Sequence, residues 1–226
     1  MNRESPLGRQ VTGSNRYDPG LLFPIERSEG RARLGLGEGS LPFSGTDVWH
    51  AYELSWLEAD GRPRVAVGRI EVPADSPRMV ESKSLKLYLN AFNGSSFDDV
   101  DTVRDTIARD LGEVTGGTVS VTLAGLDDPA FNGVAAPGVC IDEAPLAGPL
   151  TAPDRELLRV DPGEPVEETL HSHLLRSLCP VTAQPDWATV VISYRGPRLD
   201  RGALLAYLVA FREHQDFHEQ CVERIF

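Results

Sequence analysis

Cys179 opens the stretch CPVTAQPDWATVVISY, with Pro180 beside it and Asp186 seven residues on. A single thiol is either a small apolar side chain in a core or, as its thiolate, a nucleophile. Asp186, within QPDW, is ordinarily a turn or cap residue. Added to His218 in DFHEQ, the two have the composition of a thiol-hydrolase triad, the carboxylate orienting the imidazole. A second constellation lies just upstream. His171 and His173 alternate, so they share one strand face and with Glu167 could hold a metal. No further ligand stands at a sensible spacing, and no metal is expected. Cys140 and Cys221 are read as packing residues.

The elements that must carry these groups show as changes of period. Up to residue 45 the chain is rich in Gly, Arg and Pro without a sustained repeat, and reads as an irregular N-terminal arm. GLGEG, Gly35 to Gly39, has Ser40 in the place of a third glycine and no strand before it, so a dinucleotide-binding turn is not expected. Tyr52, Leu54 and Trp56 alternate, EADGRP supplies a turn, and Val65, Val67, Ile70 and Val72 continue, which predicts a β-hairpin. Leu85, Leu89 and Phe92 take helical spacing next. Val100, Val103, Ile107 and Leu111 mark a second amphipathic helix, opened by Asp98 and Asp99. After Gly116 and Gly117, TVSVTL returns to strand.

This order has an echo. LKLYLNAF (Leu85 to Phe92) and LLAYLVAF (Leu204 to Phe211) share Leu, Tyr, Leu, Ala and Phe at a constant offset of 119 residues. Each follows a strand-like run and precedes another amphipathic helix, so two copies of one module are expected. The chain then divides into an arm over 1–45, a first module over 46–136, a linker with six prolines over 137–166 and a second module over 167–226. Phe217, Cys221, Val222 and Ile225 keep helical spacing toward the last residue. The second module is therefore expected to stop inside a helix, short of its closing strands.

Composition narrows the partners. Among 226 residues, 34 acidic side chains against 22 basic ones leave a net charge of -12, which argues against a polyanion such as nucleic acid. Three distant cysteines without a CxxC pair argue against a disulfide framework and a zinc ribbon. Neither a secretory h-region nor a membrane-length apolar run is present, so a cytoplasmic chain is expected.

VESKSLKLYLNAF, CPVTAQPDWATVVISYRG and DFHEQCVERIF, in that order, resemble the bimodular family of NADPH-dependent 7-cyano-7-deazaguanine reductases, the nitrile reductases of queuosine biosynthesis. GTDVWHAYELSWL and EETLHSHLL are similar to it as well. The resemblance runs from about Gly45 to Phe226. It implies an α+β architecture of tandem tunnelling-fold modules, antiparallel ββααββ units that associate into barrels, and a homodimer. It implies NADPH as the reductant and 7-cyano-7-deazaguanine as the substrate. Cys179 then matches the nucleophile that forms a covalent thioimide, and Asp186 the proton donor, which Pro185 and Trp187 are expected to wall off from water. His218 matches a residue that contacts substrate and assists a later proton transfer. Glu81 and Glu219 match the carboxylates that read the base, Val80 and Ser82 line the same pocket, and Ser82 with Lys83 faces the cofactor phosphates. Family members continue past the position of Phe226 into strands that help to bind NADPH. The alternatives are an impaired deazapurine-binding fragment and a cysteine-dependent nitrile or amide hydrolase.

Overall fold

The computed structural model describes residues 16–36, 40–147 and 152–226, so Gly37, Glu38 and Gly39 of GLGEG lie outside the described residues. Contacts divide the chain into two compact units at Asn132 and Gly133.

In the first unit, β1 (Pro24–Glu26) runs into α1 (Arg27–Arg33). The hairpin of β2 (Thr46–Leu57) and β3 (Pro63–Pro73) follows, then β4 (Arg78–Val80), α2 (Ser82–Asn90), α3 (Val100–Thr115) and β5 (Ser120–Ala124). The sheet order is β2-β3-β5, all antiparallel, while β1 pairs with β4. The expected strand–strand–helix–helix–strand order is present, with the short β4 inserted between the hairpin and α2. Asp99 caps α3 by accepting from the Thr102 N–H at 2.7 Å, and Gly116 ends that helix in the left-handed region at φ 76. Leu54, Ile70, Val72, Leu85, Phe92, Val103, Ile107 and Leu111 form the core between sheet and helices. Tyr52 breaks the expected alternation: a register shift between Ala51 and Leu54 changes the phase, leaving Tyr52 60% exposed.

The arm is more ordered than its composition suggests. Leu22 joins the core, Tyr17 packs against it, and Arg27 is buried in an ion pair with Asp47. Elements of three and seven residues are too short to carry a legible period. Tyr17 also enters a polar network inside this unit. Its hydroxyl and that of Tyr88 donate to Asp110 Oδ2 at 2.6 and 2.7 Å, and Arg109 donates to Oδ1 at 2.8 Å. Asp110 is 3% exposed. Replacing it with asparagine removes the charge and at least one acceptor site from the buried Tyr88 and the half-buried Tyr17 donors, so Asp110→Asn should lower unfolding stability by about 3 kcal/mol in urea titration. Burial, then the Asp110 hydrogen bond, holds the Tyr17 hydroxyl at about 12 against an ordinary 10.0, and Tyr88 is raised further. Unfolded tyrosines ionise first, so this contribution is fully present below 10.0 and declines as pH rises toward 12. Urea midpoints should fall across that window, and fall less in Asp110→Asn.

The second unit contains β6 (Val139–Cys140), β7 (Val160–Leu178), β8 (Pro185–Leu199), α4 (Arg201–Val209) and α5 (His218–Ile225). Its sheet order is β6-β7-β8; β7 and β8 are antiparallel, but β6 runs parallel to β7, a departure from the all-antiparallel expectation. The proline-rich stretch is also not a free linker. Ile141 is buried in the core, and β7 begins at Val160, crossing Pro162 and Pro165 where the ladder to β8 shifts register between Asp161 and Val166. Such an irregularity lets a strand tolerate residues without an N–H. The core gathers Leu170, Leu175, Leu204, Leu205, Leu208, Phe211 and Cys221.

The expected repeat extends into the hydrogen bonding. In the first unit Leu57 donates its N–H to Ser95 O and accepts from Phe97 N–H. In the second, Leu178 donates to His214 O and accepts from Asp216 N–H. Each clamp follows a one-turn 3-10 segment, Ala91–Gly94 or Ala210–Glu213, that ends the first helix of its copy. The shared sequence thus specifies the same turn and the same return to the hairpin. No helix among the described residues is long and apolar enough to cross a membrane.

Candidate active site

Cys179 is the first residue after β7, and the loop from Cys179 to Gln184 joins it to β8. Cys179 N–H donates to Gln184 O at 2.8 Å and Ala183 N–H returns to Cys179 O at 2.9 Å, with Ala183 at φ 55. The thiol is half-buried. Register fixes its neighbours: Ser177 stands opposite Asp186, and Leu178 opposite Pro185. Paired residues share a face, so Ser177 and Asp186 lie on one side of the hairpin, and Cys179, one residue past the strand, continues the alternation from Ser177. That side also carries Leu175 and Ala188, which pack into the core with α4 and α5. The nucleophile candidate and the acid candidate are therefore diagonal neighbours on the helix-bearing face.

The same alternation corrects the expected environment of Asp186. Trp187, its immediate neighbour, must point to the other face. There its ring lies 5.9 Å from the Arg176 guanidinium and 5.5 Å from that of Arg212. Trp187 is 59% exposed, and Pro185 and Asp186 are exposed too. The apolar wall expected from the sequence is not built by these two residues.

The Leu178 clamp brings the chain from His214 to Asp216 alongside the end of β7, and α5 starts two residues later with His218. His218 is half-buried, and its Nε2 is buried without a hydrogen-bond partner among the described residues. An unpartnered buried nitrogen costs about 1–3 kcal/mol, which an incoming ligand group can recover. No hydrogen bond joins His218 to Asp186 or Cys179 among the described residues, so the resting contacts of a hydrolase triad are not formed. Glu219, half-buried, follows in the first turn of α5. Behind it, burial pushes the Cys221 thiol up to about 12, with the Ser177 hydroxyl acting in the opposite direction. Cys221 is a core residue, as expected. Ser177 went unnoticed in the sequence, where a serine within a strand gives no signal of its partner.

The remaining candidates belong to the first unit. Glu81 is 1% exposed and caps α2: Oε1 accepts from Lys83 N–H at 2.7 Å and Oε2 from Ser84 N–H at 2.8 Å. Val80 is also buried, its side chain in the core rather than on an open pocket, and its main chain pairs with Pro24. Ser82 is exposed and lines a cavity of about 800 Å³ with Trp49, Tyr52, Lys86, Asn90 and Asn93. Lys83 is half-buried on the same helical turn, which carries no acid of its own. Lys86 pairs with Glu53 at 3.4 Å and the Glu81 carboxylate already occupies two N–H groups of this helix end, so a phosphate here would rely on the Ser82 hydroxyl and lysine charge.

The family described as "Nitrile reductase, 7-cyano-7-deazaguanine-reductase N-term" matches residues 14–123, and that described as "QueF-like protein" matches residues 185–226. The NADPH-dependent 7-cyano-7-deazaguanine reductase of Chromohalobacter salexigens is 55% identical over 98% of this chain and 80% of the relative. Those of Azoarcus sp. (strain BH72) and Dechloromonas aromatica are 54% and 52% identical, each over 98% of this chain and 79% of the relative. This chain belongs to the 7-cyano-7-deazaguanine reductase family. Glu81 falls inside the first family match, and Asp186, His218 and Glu219 inside the second; Cys179 stands just ahead of the second.

Proposed function

We propose that this chain reduces the nitrile of 7-cyano-7-deazaguanine to the aminomethyl group with NADPH, in queuosine biosynthesis, through a covalent adduct on Cys179. The observation that supports the reading at residue level is the tip of the β7–β8 hairpin, where Ser177 pairs with Asp186 and the bond from Cys179 N–H to Gln184 O keeps Cys179 close to that pair. A nitrile carbon is a weak electrophile, and a thiolate divides its reduction into easier steps. Cys179 sulfur bonds to that carbon, one C–N π pair moves to nitrogen, and nitrogen takes a proton from Asp186. NADPH, when bound, supplies hydride, two equivalents per nitrile. Cys179 departs with the C–S bond pair when the carbon has been reduced to the imine level, and His218 delivers a proton as the amine forms.

Asp186 is exposed, so an acid role at neutral pH needs a cover over the hairpin tip; the flat base of the substrate would provide one. Glu219 in the second unit and Glu81 in the first each have the chemistry to accept from the ring N–H and amino donors of such a base. Glu81 already caps α2, and its Oε1 also accepts from Ser82 Oγ at 3.4 Å, so Oε2 is the oxygen that keeps a second lone pair for this task. A cap alone is worth about 1 kcal/mol. Glu81→Gln should therefore lower stability by no more than that while raising KM at least tenfold, and an unchanged KM would leave Glu81 with the cap only. Ser82 and Lys83 hold the cofactor phosphates. In this reading the repeated hairpin and helices, 46–136 and 167–226, are tunnelling-fold modules, and the protein is a cytoplasmic homodimer with no nucleic-acid partner.

Stoichiometry tests the reaction. The expected result is two NADPH oxidised per aminomethyl product, without ammonia. Release of ammonia with a carboxylic acid, independent of NADPH, would replace this reading with the hydrolase.

A further inference from the structure

The outer face of the second unit holds a cluster that the reduction does not use. Cys140, His171 and His173 each offer a donor atom, and the three atoms lie within 4.8 Å of one another. Only the two histidines were visible as a pair in the sequence. Glu167, four residues from His171, is about 13 Å away along an extended strand and stands outside the cluster. Cys140 arrives instead through the parallel pairing of β6 with β7, which sets it beside His171.

Several contacts hold these groups in place. Gly138 has φ 80, and a Cβ there would overlap the Thr169 carbonyl, so the approach of β6 depends on glycine. Ile141 N–H donates to His171 O at 3.0 Å. Asp142 Oδ1 accepts from Ser172 Oγ at 2.7 Å and from His173 N–H at 3.2 Å, fastening the strand between the two histidines and at the second of them. His171 Nδ1 lies 2.9 Å from Pro137 O. A carbonyl can only accept, so Nδ1 carries the proton and Nε2 keeps its lone pair. Orientation by a main-chain carbonyl is the usual support of a metal-binding imidazole. His173 Nδ1 is likewise engaged, 2.8 Å from Thr189 Oγ1.

We propose that Cys140, His171 and His173 form a site for a borderline divalent cation of the zinc class. One thiolate and two imidazoles are a zinc donor set, and three protein ligands leave a fourth position for water. Ligands around tetrahedral zinc stand about 3.5 Å apart, so the donor atoms must close by about 1 Å. Cys140 and His173 are exposed and can turn to do so, while the more buried His171 anchors the site. The ion ties β6, and with it the start of the second unit, to β7.

Cobalt(II) is the probe, added to untagged chain that has been stripped of metal with a chelator and kept reduced. The expected result is one equivalent bound with a thiolate-to-cobalt charge-transfer band, displaced by zinc, and a thermal transition raised by zinc. Cys140→Ser should abolish the band. His173→Ala, at an exposed position, should weaken binding by at least the roughly 10- to 100-fold lost with an outer partner. Circular dichroism checks the fold of each variant. Absence of the band in the unaltered chain would overturn the site. So would a band that survives Cys140→Ser and vanishes in Cys179→Ala, or an affinity unchanged in His173→Ala.

Discussion

Cys179→Ala should lower turnover by about 10⁴-fold or more while leaving the fold intact, since removal of a covalent nucleophile typically leaves only binding and electrostatic contributions. The side chain is half-buried at a hairpin tip, where its loop is closed by main-chain bonds to Gln184 and Ala183. Alanine preserves every one of them. No other thiol can substitute: Cys221 is a core residue whose thiol burial pushes up to about 12, and Cys140 is on the opposite face of the sheet. Substrate affinity should change little, because base recognition is assigned to other residues. Turnover within tenfold of the unaltered chain would remove the covalent step from the mechanism.

Asp186→Asn should slow adduct formation by about 10²- to 10⁴-fold, the range for loss of a positioned proton donor. Asparagine has the same shape, and Asp186 is exposed with no core contact to lose, so binding and stability should stay near those of the parent. The effect should therefore fall on the rate of the covalent step at saturating substrate and not on KM. Because Trp187 faces away, Trp187→Phe should leave that rate unchanged. A normal rate in Asp186→Asn would pass the proton to another group, with His218 the nearest candidate in chain topology.

Much of this arrangement was legible. The alternation through Leu54 and Trp56, the helical spacing of Val103, Ile107 and Leu111, and the repeat all correspond to elements observed. Even the repeated Phe92 and Phe211 mark the same turn in both units. What the sequence concealed depends on contacts between distant residues or on a change of phase. The register shift beside Ala51 turned Tyr52 outward against its pattern. The β6–β7 pairing joins Cys140 to two histidines some thirty residues on, and a two-residue strand has no periodic signal. Pro162 and Pro165 spoke against a strand that a ladder irregularity permits. At the candidate site, adjacency in the sequence suggests Trp187 as a wall for Asp186. Adjacency on a strand guarantees the contrary, since consecutive side chains take opposite faces. Glu81 illustrates the remaining ambiguity: the same carboxylate suits a helix cap and a base-reading acceptor, and its cap is what the geometry makes explicit.

Intact-mass spectrometry with peptide mapping, on the chain incubated with 7-cyano-7-deazaguanine and no NADPH, reads the covalent step on Cys179 itself. The expected result is a mass gain equal to the whole nitrile, on the peptide containing Cys179, absent from Cys179→Ala and consumed when NADPH is added. An unmodified Cys179 under conditions where the same sample reduces the nitrile on addition of NADPH would contradict it.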